Sequence, residues 1–469
     1  MTPLYAAFVI GIPLLLLLVR RIASPPARQA LYLTASYAFY LTFGWRFFAI
    51  LLASSLFNYY WGAVVRGRPT SGVLWVGILA NVALLSTFKY LPSLAALFAG
   101  SSDFGGRVAH LALPVGISFW TFQGLSYLID QYREERLDPT LLEFLLYMGF
   151  APTVLSGPIC RLPELLPQLR HTTNATWDDV CVGARSVWVG MLMITLGRIL
   201  GSGVSGRGVN WGFDHVGAQL SGADVWLLLV GYGFQLFFDF AGYSRVVIGA
   251  AQMFGIGLPE NFRRPYLSPT PTAFWQRWHM SLSFWIRDYL FMPLATMRRE
   301  VWWRNLALVV SMVVFGLWHK ASLLFLVWGM YQGLLLLGHR LLQQWQRKRG
   351  QAAGGAWGSV FSWLITFAAI NFAWIAFRAP DWQQASKLAG LALAPFSAQP
   401  SALSASFYLL VLGIVGTYFA LEGLVTKLEP TRSLLTVLPV ELRYVLYAGI
   451  FYFTVFHSAE PQTFIYLQF

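Results

Sequence analysis

The chain has 469 residues, of which 57% are hydrophobic and only 11% charged, whereas soluble domains carry about 25% charged residues. That balance excludes an ordinary soluble globule. The formal net charge of +13 sits in short clusters beside long apolar runs, the pattern of loops at a membrane face. Membrane lipid is therefore the expected surroundings, and nucleic acid is not an expected partner. Cys160 and Cys181 lie in no CxxC or Cys/His cluster, so zinc, iron–sulfur and disulfide frameworks have no support.

Residues 1–19 are almost continuously apolar and are followed by Arg20, Arg21 and Arg28. A cleaved signal peptide carries its charge before the apolar run, so this segment is predicted to be a retained span with its N-terminus outside. Two short spans, 30–45 and 47–65, return the chain to Arg66 and Arg68 on the same, cytoplasmic side. Further apolar stretches follow at 72–99, 111–129, 140–158, 182–204, 223–256, 303–318, 321–338, 357–377, 404–425 and 442–457. The predicted fold class is an all-α polytopic membrane protein with roughly eleven transmembrane helices, plus re-entrant or interfacial pieces. Residues 130–138 read as a solvated loop, 339–350 as a basic amphipathic stretch at the cytoplasmic surface, and 351–358 as a small-residue linker. With no internal repeat or large polar block, the chain reads as one membrane-embedded domain, 1–469. Its motif-bearing core is 111–340, flanked by spans in 1–110 and 355–469.

The segment 260–294 is the least membrane-like part of the centre, since it packs Arg263, Arg264, Arg277, His279, Arg287 and Asp288 among tryptophans. Pro269 and Pro271 bar a regular helix before them. Thr272 is predicted to cap a helix running to residue 289, with Trp275, Trp278, His279, Leu282, Trp285, Ile286 and Tyr289 on one stripe. Arg277, Ser281 and Asp288 fall on another face. Farther on, FGLWHK (315–320) sets His319 between two apolar runs. A histidine there is either a core group bonded to a carbonyl or a proton-transfer group facing a cavity. Two Trp-His pairs forty residues apart add weight to the second reading without closing the first. Asp239, with Gln235 and Tyr243, interrupts the span YGFQLFFDFAGYSR (232–245), as an internal ion pair or as a functional acid. In residues 113–130, Ser118, Thr121, Gln123 and Ser126 either glue helices or line a polar path. No GxxxxGK[ST], strand-borne GxGxxG, HExxH or acid-rich metal cluster is present.

The runs LPENFRRPYLSPTPTAFWQRWHMSLSFWIRDYLFMPL (258–294) and GLWHKASLLFLVWGMYQG (316–333) resemble the membrane-bound O-acyltransferase (MBOAT) family. So do LPVGISFWTFQGLSYLIDQYR (113–133) and GFQLFFDFAGYSRVVIGAAQMFGIGLPENF (233–262). Within it, the chain is similar to the bacterial branch that holds alginate O-acetylation proteins, peptidoglycan O-acetyltransferases and teichoic acid D-alanyl transferases. The resemblance implies the MBOAT fold, with helices around a central funnel. It makes His319 the catalytic base and His279 the second position, with Gln123, Asp239, Tyr243, Trp278, Trp318 and Arg277 as candidate substrate-binding residues. It implies acetyl-CoA as donor, no resident cofactor or metal, and transfer across the bacterial inner membrane to an extracytoplasmic polysaccharide. An alginate-like polymer is favoured over peptidoglycan, and a periplasmic or membrane-tethered SGNH/esterase-like partner would complete the transfer. Arg245, Lys320 and residues 295–299 depart from the alginate-type pattern. A transporter or flippase for lipid-linked saccharide or an acyl carrier shares the broken helices and buried polar groups, but it predicts inverted repeats absent here. A donor and acceptor on opposite faces require residues 260–289 to form short re-entrant or interfacial helices converging on His319, with both histidines on a common cavity.

Overall fold

The computed structural model describes residues 24–92, 112–133, 138–170, 175–203, 206–215, 220–350, 356–395 and 401–428, with a few isolated positions near either end. Every regular element among the described residues is a helix. Seven helices are long and apolar enough to cross a bilayer: Trp45–Gly67, Ser71–Lys89, Trp177–Ser202, Gly222–Gln252, Val301–His319, Trp357–Arg378 and Ala405–Leu424. Large apolar side chains stand bare along them, with Leu79 59% and Leu409 72% exposed. Faces of that kind have lipid as their solvent. The predicted spans at 1–19 and 442–457, Arg20 and Arg21, loop residues 134–137 and linker residues 351–355 lie outside the described residues.

The chain divides into two compact units, residues 1–187 with 244–260 and residues 188–243 with 261–469. The first holds α1 (Pro25–Leu41), α2 (Trp45–Gly67), α3 (Ser71–Lys89), α4 (Ile117–Tyr132), α5 (Leu141–Gly149), α6 (Ala151–Val154), α7 (Leu162–Arg170) and the start of α8 (Trp177–Ser202). Buried Asn58 and Asn81 exchange amide hydrogen bonds of 2.9 and 3.1 Å between α2 and α3. Where water is absent, such a reciprocal pair is the natural way to satisfy two amides. The stretch 111–129 contributes a 16-residue helix buried almost throughout, enclosed by protein rather than lipid. The stretch 140–158 does not form one span: Pro152 stands in the first turn of α6 and cannot donate a backbone N–H to a continuing helix.

The second unit holds the rest of α8, α9 (Val209–Asp214), most of α10 (Gly222–Gln252), α11 (Pro271–Trp275), α12 (Met280–Ile286), α13 (Met292–Thr296), α14 (Val301–His319) and α15 (Leu323–Lys348). After these come α16 (Ala356–Ala373), α17 (Ile375–Arg378), α18 (Trp382–Ala392) and α19 (Ala405–Leu428). The most extensive helix pairing joins α14 to α15. A β-carbon on Gly329 would come within 2.8 Å of the Val313 Cα, so glycine permits a backbone-to-backbone approach that alanine would block. Residues 320–322 turn the chain between these helices, and the Ser322 hydroxyl accepts the Phe325 N–H to start α15.

Residues 272–289 do not form the continuous helix that their periodicity predicts. Thr270, not Thr272, caps α11, accepting the Ala273 N–H at 3.1 Å. The chain then turns, His279 adopts left-handed backbone (φ 43, ψ 53), and α12 begins at Met280. A wider π-type turn over Arg287–Phe291 leads into α13. The stripe therefore splits over two short helices, and a residue in left-handed geometry cannot sit inside a right-handed one.

Candidate active site

The short helices are held by hydrogen bonds from outside themselves. The Arg263 N–H reaches the Arg277 carbonyl at 2.9 Å and the Met280 N–H reaches the Asn261 carbonyl at 2.8 Å, tying 261–263 alongside 277–280. From α16, Ser362 donates to the Pro269 carbonyl at 2.6 Å and Trp363 to the Tyr266 carbonyl at 2.8 Å. Irregular backbone in an apolar surrounding survives only when its polar groups are satisfied in this way. Arg264 and His279 are the non-glycine residues with positive φ among those described. Such strained positions persist where the surroundings hold them and cluster at functional sites.

His279 is 1% exposed, with its ring edge-on to Phe240 at 4.7 Å between centroids. Burial holds its imidazole well below the ordinary histidine range, so it is neutral at physiological pH. Its Nδ1 lies 3.4 Å from the Asn261 amide oxygen, which also accepts the Ser281 hydroxyl at 2.6 Å and the Ser281 N–H at 3.2 Å. With the proton on Nδ1, facing that oxygen, Nε2 carries the lone pair.

His319 closes α14 and is 4% exposed. It is surrounded by Phe315, Trp318, Trp328 and Phe377 at 4.8, 4.7, 5.7 and 5.1 Å. His279 and His319 line one small cavity together with Leu236, Phe240, Trp275, Trp278, Phe315, Trp328, Trp374 and Phe377. Its volume is about 10 Å³, room for one water. The walls are apolar and aromatic, and the two imidazoles are the titratable groups on them. That arrangement excludes bulk water and presents nitrogen bases at a site where a proton could be taken from an alcohol.

The other sequence candidates are distributed differently. Trp278 lines the cavity, and Trp318 packs against the His319 ring. Arg277 is half-buried and its carbonyl ties down Arg263; it is not on the cavity wall. Asp239 and Tyr243 stand on α10, whose Leu236 and Phe240 reach the cavity, and Asp239 lies against Gly197 of α8. Gln123 belongs to the first unit, where it donates to the Tyr147 carbonyl at 3.3 Å. Asn261, Trp328, Trp374 and Phe377 are not picked out by the sequence. Asn261 reads as a loop residue, and aromatics in spans give no local sign that they converge. Among the described residues no group of three or more His, Cys, Asp or Glu is placed to hold a metal ion.

Apolar spans, broken helices and two buried histidines on one apolar cavity define an integral-membrane protein with an internal polar site. The family model of membrane-bound O-acyltransferases matches residues 29–377. The chain belongs to that family and is a multi-pass membrane O-acyltransferase. It is 33% identical over 377 residues to the probable alginate O-acetylase AlgI of Pseudomonas aeruginosa, covering 77% of this chain and 69% of that one. It is 31% identical over 388 residues to the peptidoglycan O-acetyltransferase of Helicobacter pylori, covering 76% and 71%. To the teichoic acid D-alanyltransferase of Bacillus subtilis it is 31% identical over 327 residues, covering 66% and 79%.

Proposed function

We propose that this enzyme takes an acetyl group from acetyl-CoA at the cytoplasmic side of the bacterial inner membrane and passes it toward an extracytoplasmic polysaccharide. An alginate-like polymer is favoured over peptidoglycan, through a periplasmic or membrane-tethered esterase-like partner. The observation that carries the reading is the single cavity walled by His279 and His319, in a chain whose relatives are named for alginate, peptidoglycan and teichoic acid.

In this mechanism His319 takes the proton of the attacking hydroxyl as its oxygen bonds to the thioester carbonyl carbon. The tetrahedral intermediate then expels the thiolate, which recovers the proton, so His319 ends as it began. Neutral His279, oriented by Asn261, positions the reacting group by hydrogen bonding. Trp278 and Trp318 fix the surrounding walls; Gln123, Asp239, Tyr243 and Arg277 would act on the substrates' approach. No resident cofactor or metal enters these steps. A central funnel within about eleven spans belongs to the same reading.

The orientation draws support from charge. The paired helices α14 and α15 run antiparallel, with Arg298, Arg299 and Arg304 at the start of α14 and Arg347, Lys348 and Arg349 at the end of α15. Clustered Arg and Lys favour the cytoplasm. The His319 end is then turned away from it, toward the acceptor.

The test is turnover of radiolabelled acetyl-CoA by purified protein in liposomes, with the partner and polymer supplied. His319-dependent appearance of label in the polymer is the expected result. Label that stays on coenzyme A under all conditions, from monodisperse protein, would overturn the donor assignment.

A further inference from the structure

The cavity between the histidines, at about 10 Å³, accepts a water but not an acetyl group. Transfer therefore requires the cavity to widen. A pocket of about 210 Å³ lies beside it, with Lys320, Ser322, Phe325, Asp381 and Trp382 on its walls. Phe377 is the residue shared by the walls of both spaces. Its ring stands 5.1 Å from the His319 imidazole, 4.8 Å from Phe325 and 4.9 Å from Trp328. It is carried on α17, the last turn of the span Trp357–Arg378, just past the kink at Trp374. The inner cavity's other walls include rings on the long helices α10, α14 and α15. A rotamer change at one side chain is less costly than displacing a membrane-spanning helix.

We propose that Phe377 is the aperture between the outer pocket and the histidine cavity, and that its ring is the specificity-determining element for acyl-group size. It swings aside so that the acyl group of a thioester entering from the cytoplasmic side can lie against His319 with its tail toward the outer pocket, and its bulk confines transfer to short acyl groups. This rests on the acyltransferase reading above, and the experiment separates the two. In full-length protein with Cys160 and Cys181 replaced by alanine, Leu236→Cys puts a thiol on the inner cavity wall, where the native side chain is 3% exposed. Labelling of that thiol by a small methanethiosulfonate reagent needs no catalysis. Phe377→Ala and the milder Phe377→Leu should accelerate it, by about tenfold for alanine, and Phe377→Trp should slow it. With acetyl-, butyryl- and hexanoyl-CoA as donors, Phe377→Ala should raise the hexanoyl-to-acetyl rate ratio by about tenfold or more, since one methylene in a tight pocket changes rates by about 10–200-fold. Unchanged labelling in monodisperse Phe377→Ala and Phe377→Leu proteins overturns the aperture, and accelerated labelling with an unchanged acyl preference overturns the specificity role. If no thioester turns over in any protein, the donor reading fails, while the labelling rates still decide whether Phe377 separates the two spaces.

Discussion

The amide oxygen of Asn261 lies 3.4 Å from Nδ1 of His279 and 2.6 Å from the hydroxyl of Ser281. One side chain thus holds both the buried imidazole and the first turn of the helix that begins after it. Asn261→Ala removes the acceptor of both Ser281 bonds, which costs about 1–3 kcal/mol and should appear as a lower melting temperature together with lost activity. Asn261→Asp keeps an acceptor but sets a negative charge beside the imidazole, favouring its protonated form. The pH below which activity falls should then move upward, as measured by a pH–rate profile against the native enzyme; an unmoved profile would show that Asn261 does not act through His279.

Removing the candidate base tests the catalytic assignment directly. His319→Ala should lower acyl transfer by about 10²–10⁴-fold, the usual contribution of a positioned general base. Abundance and membrane insertion should remain close to native, which immunoblotting of membranes would establish. His279→Asn, which keeps a donor and an acceptor but cannot take a proton, should retain part of the activity. Complete loss in that variant, with protein intact, would make His279 an acid–base group rather than a positioning one.

The α14–α15 pair gives a purely steric prediction. Gly329→Ala places a β-carbon within 2.8 Å of the Val313 Cα, and backbone cannot yield as a flexible side chain would. Forcing the helices apart should cost about 1–3 kcal/mol, read as a lower melting temperature. Because α14 ends on His319, acyl transfer should fall as well. Gly338→Ala on the same helix meets nothing within 4 Å and serves as the neutral comparison.

In the first unit, Glu143 completes a capping box with Thr140 and binds Arg170 at 2.8 and 3.0 Å. Burial pushes its carboxyl upward, but the bonds from Arg170 and Thr140 outweigh that and leave it below the usual range. A depressed carboxyl stabilises the fold fully above its unfolded value and loses that contribution as pH falls through the folded one. Glu143→Gln should therefore melt below the native protein at pH 7, and the difference should vanish in acid. An equal difference at both pH values would assign the effect to shape rather than charge.

Topology is open to labelling. Single cysteines within 340–349 and 66–68 should react with impermeant reagents only from the cytoplasm, and a cysteine at Lys320 only from outside. Reactivity from the opposite sides would reverse the orientation.

Much of this protein follows from local features of the chain. Seven of its spans are legible because a helix crossing a bilayer needs about 20 apolar residues, a property of composition alone. His279 and His319 stand out for the same reason, as polar residues among apolar runs and beside tryptophans. Pro269 and Pro271 rule out a regular helix running into this segment, because a proline ring removes a donor wherever it sits, although the cap is Thr270 rather than Thr272. Periodicity misled over 272–289, since a 3.6-residue stripe says nothing of the left-handed turn at His279, which outside contacts to Asn261 and the Pro269 loop sustain. Only the folded second unit joined residues 236–240, 275–279, 315–328 and 374–377 around one cavity. It gave Asn261 its partners and Phe377 its place between two spaces, because such contacts depend on how distant helices pack, which no local pattern encodes.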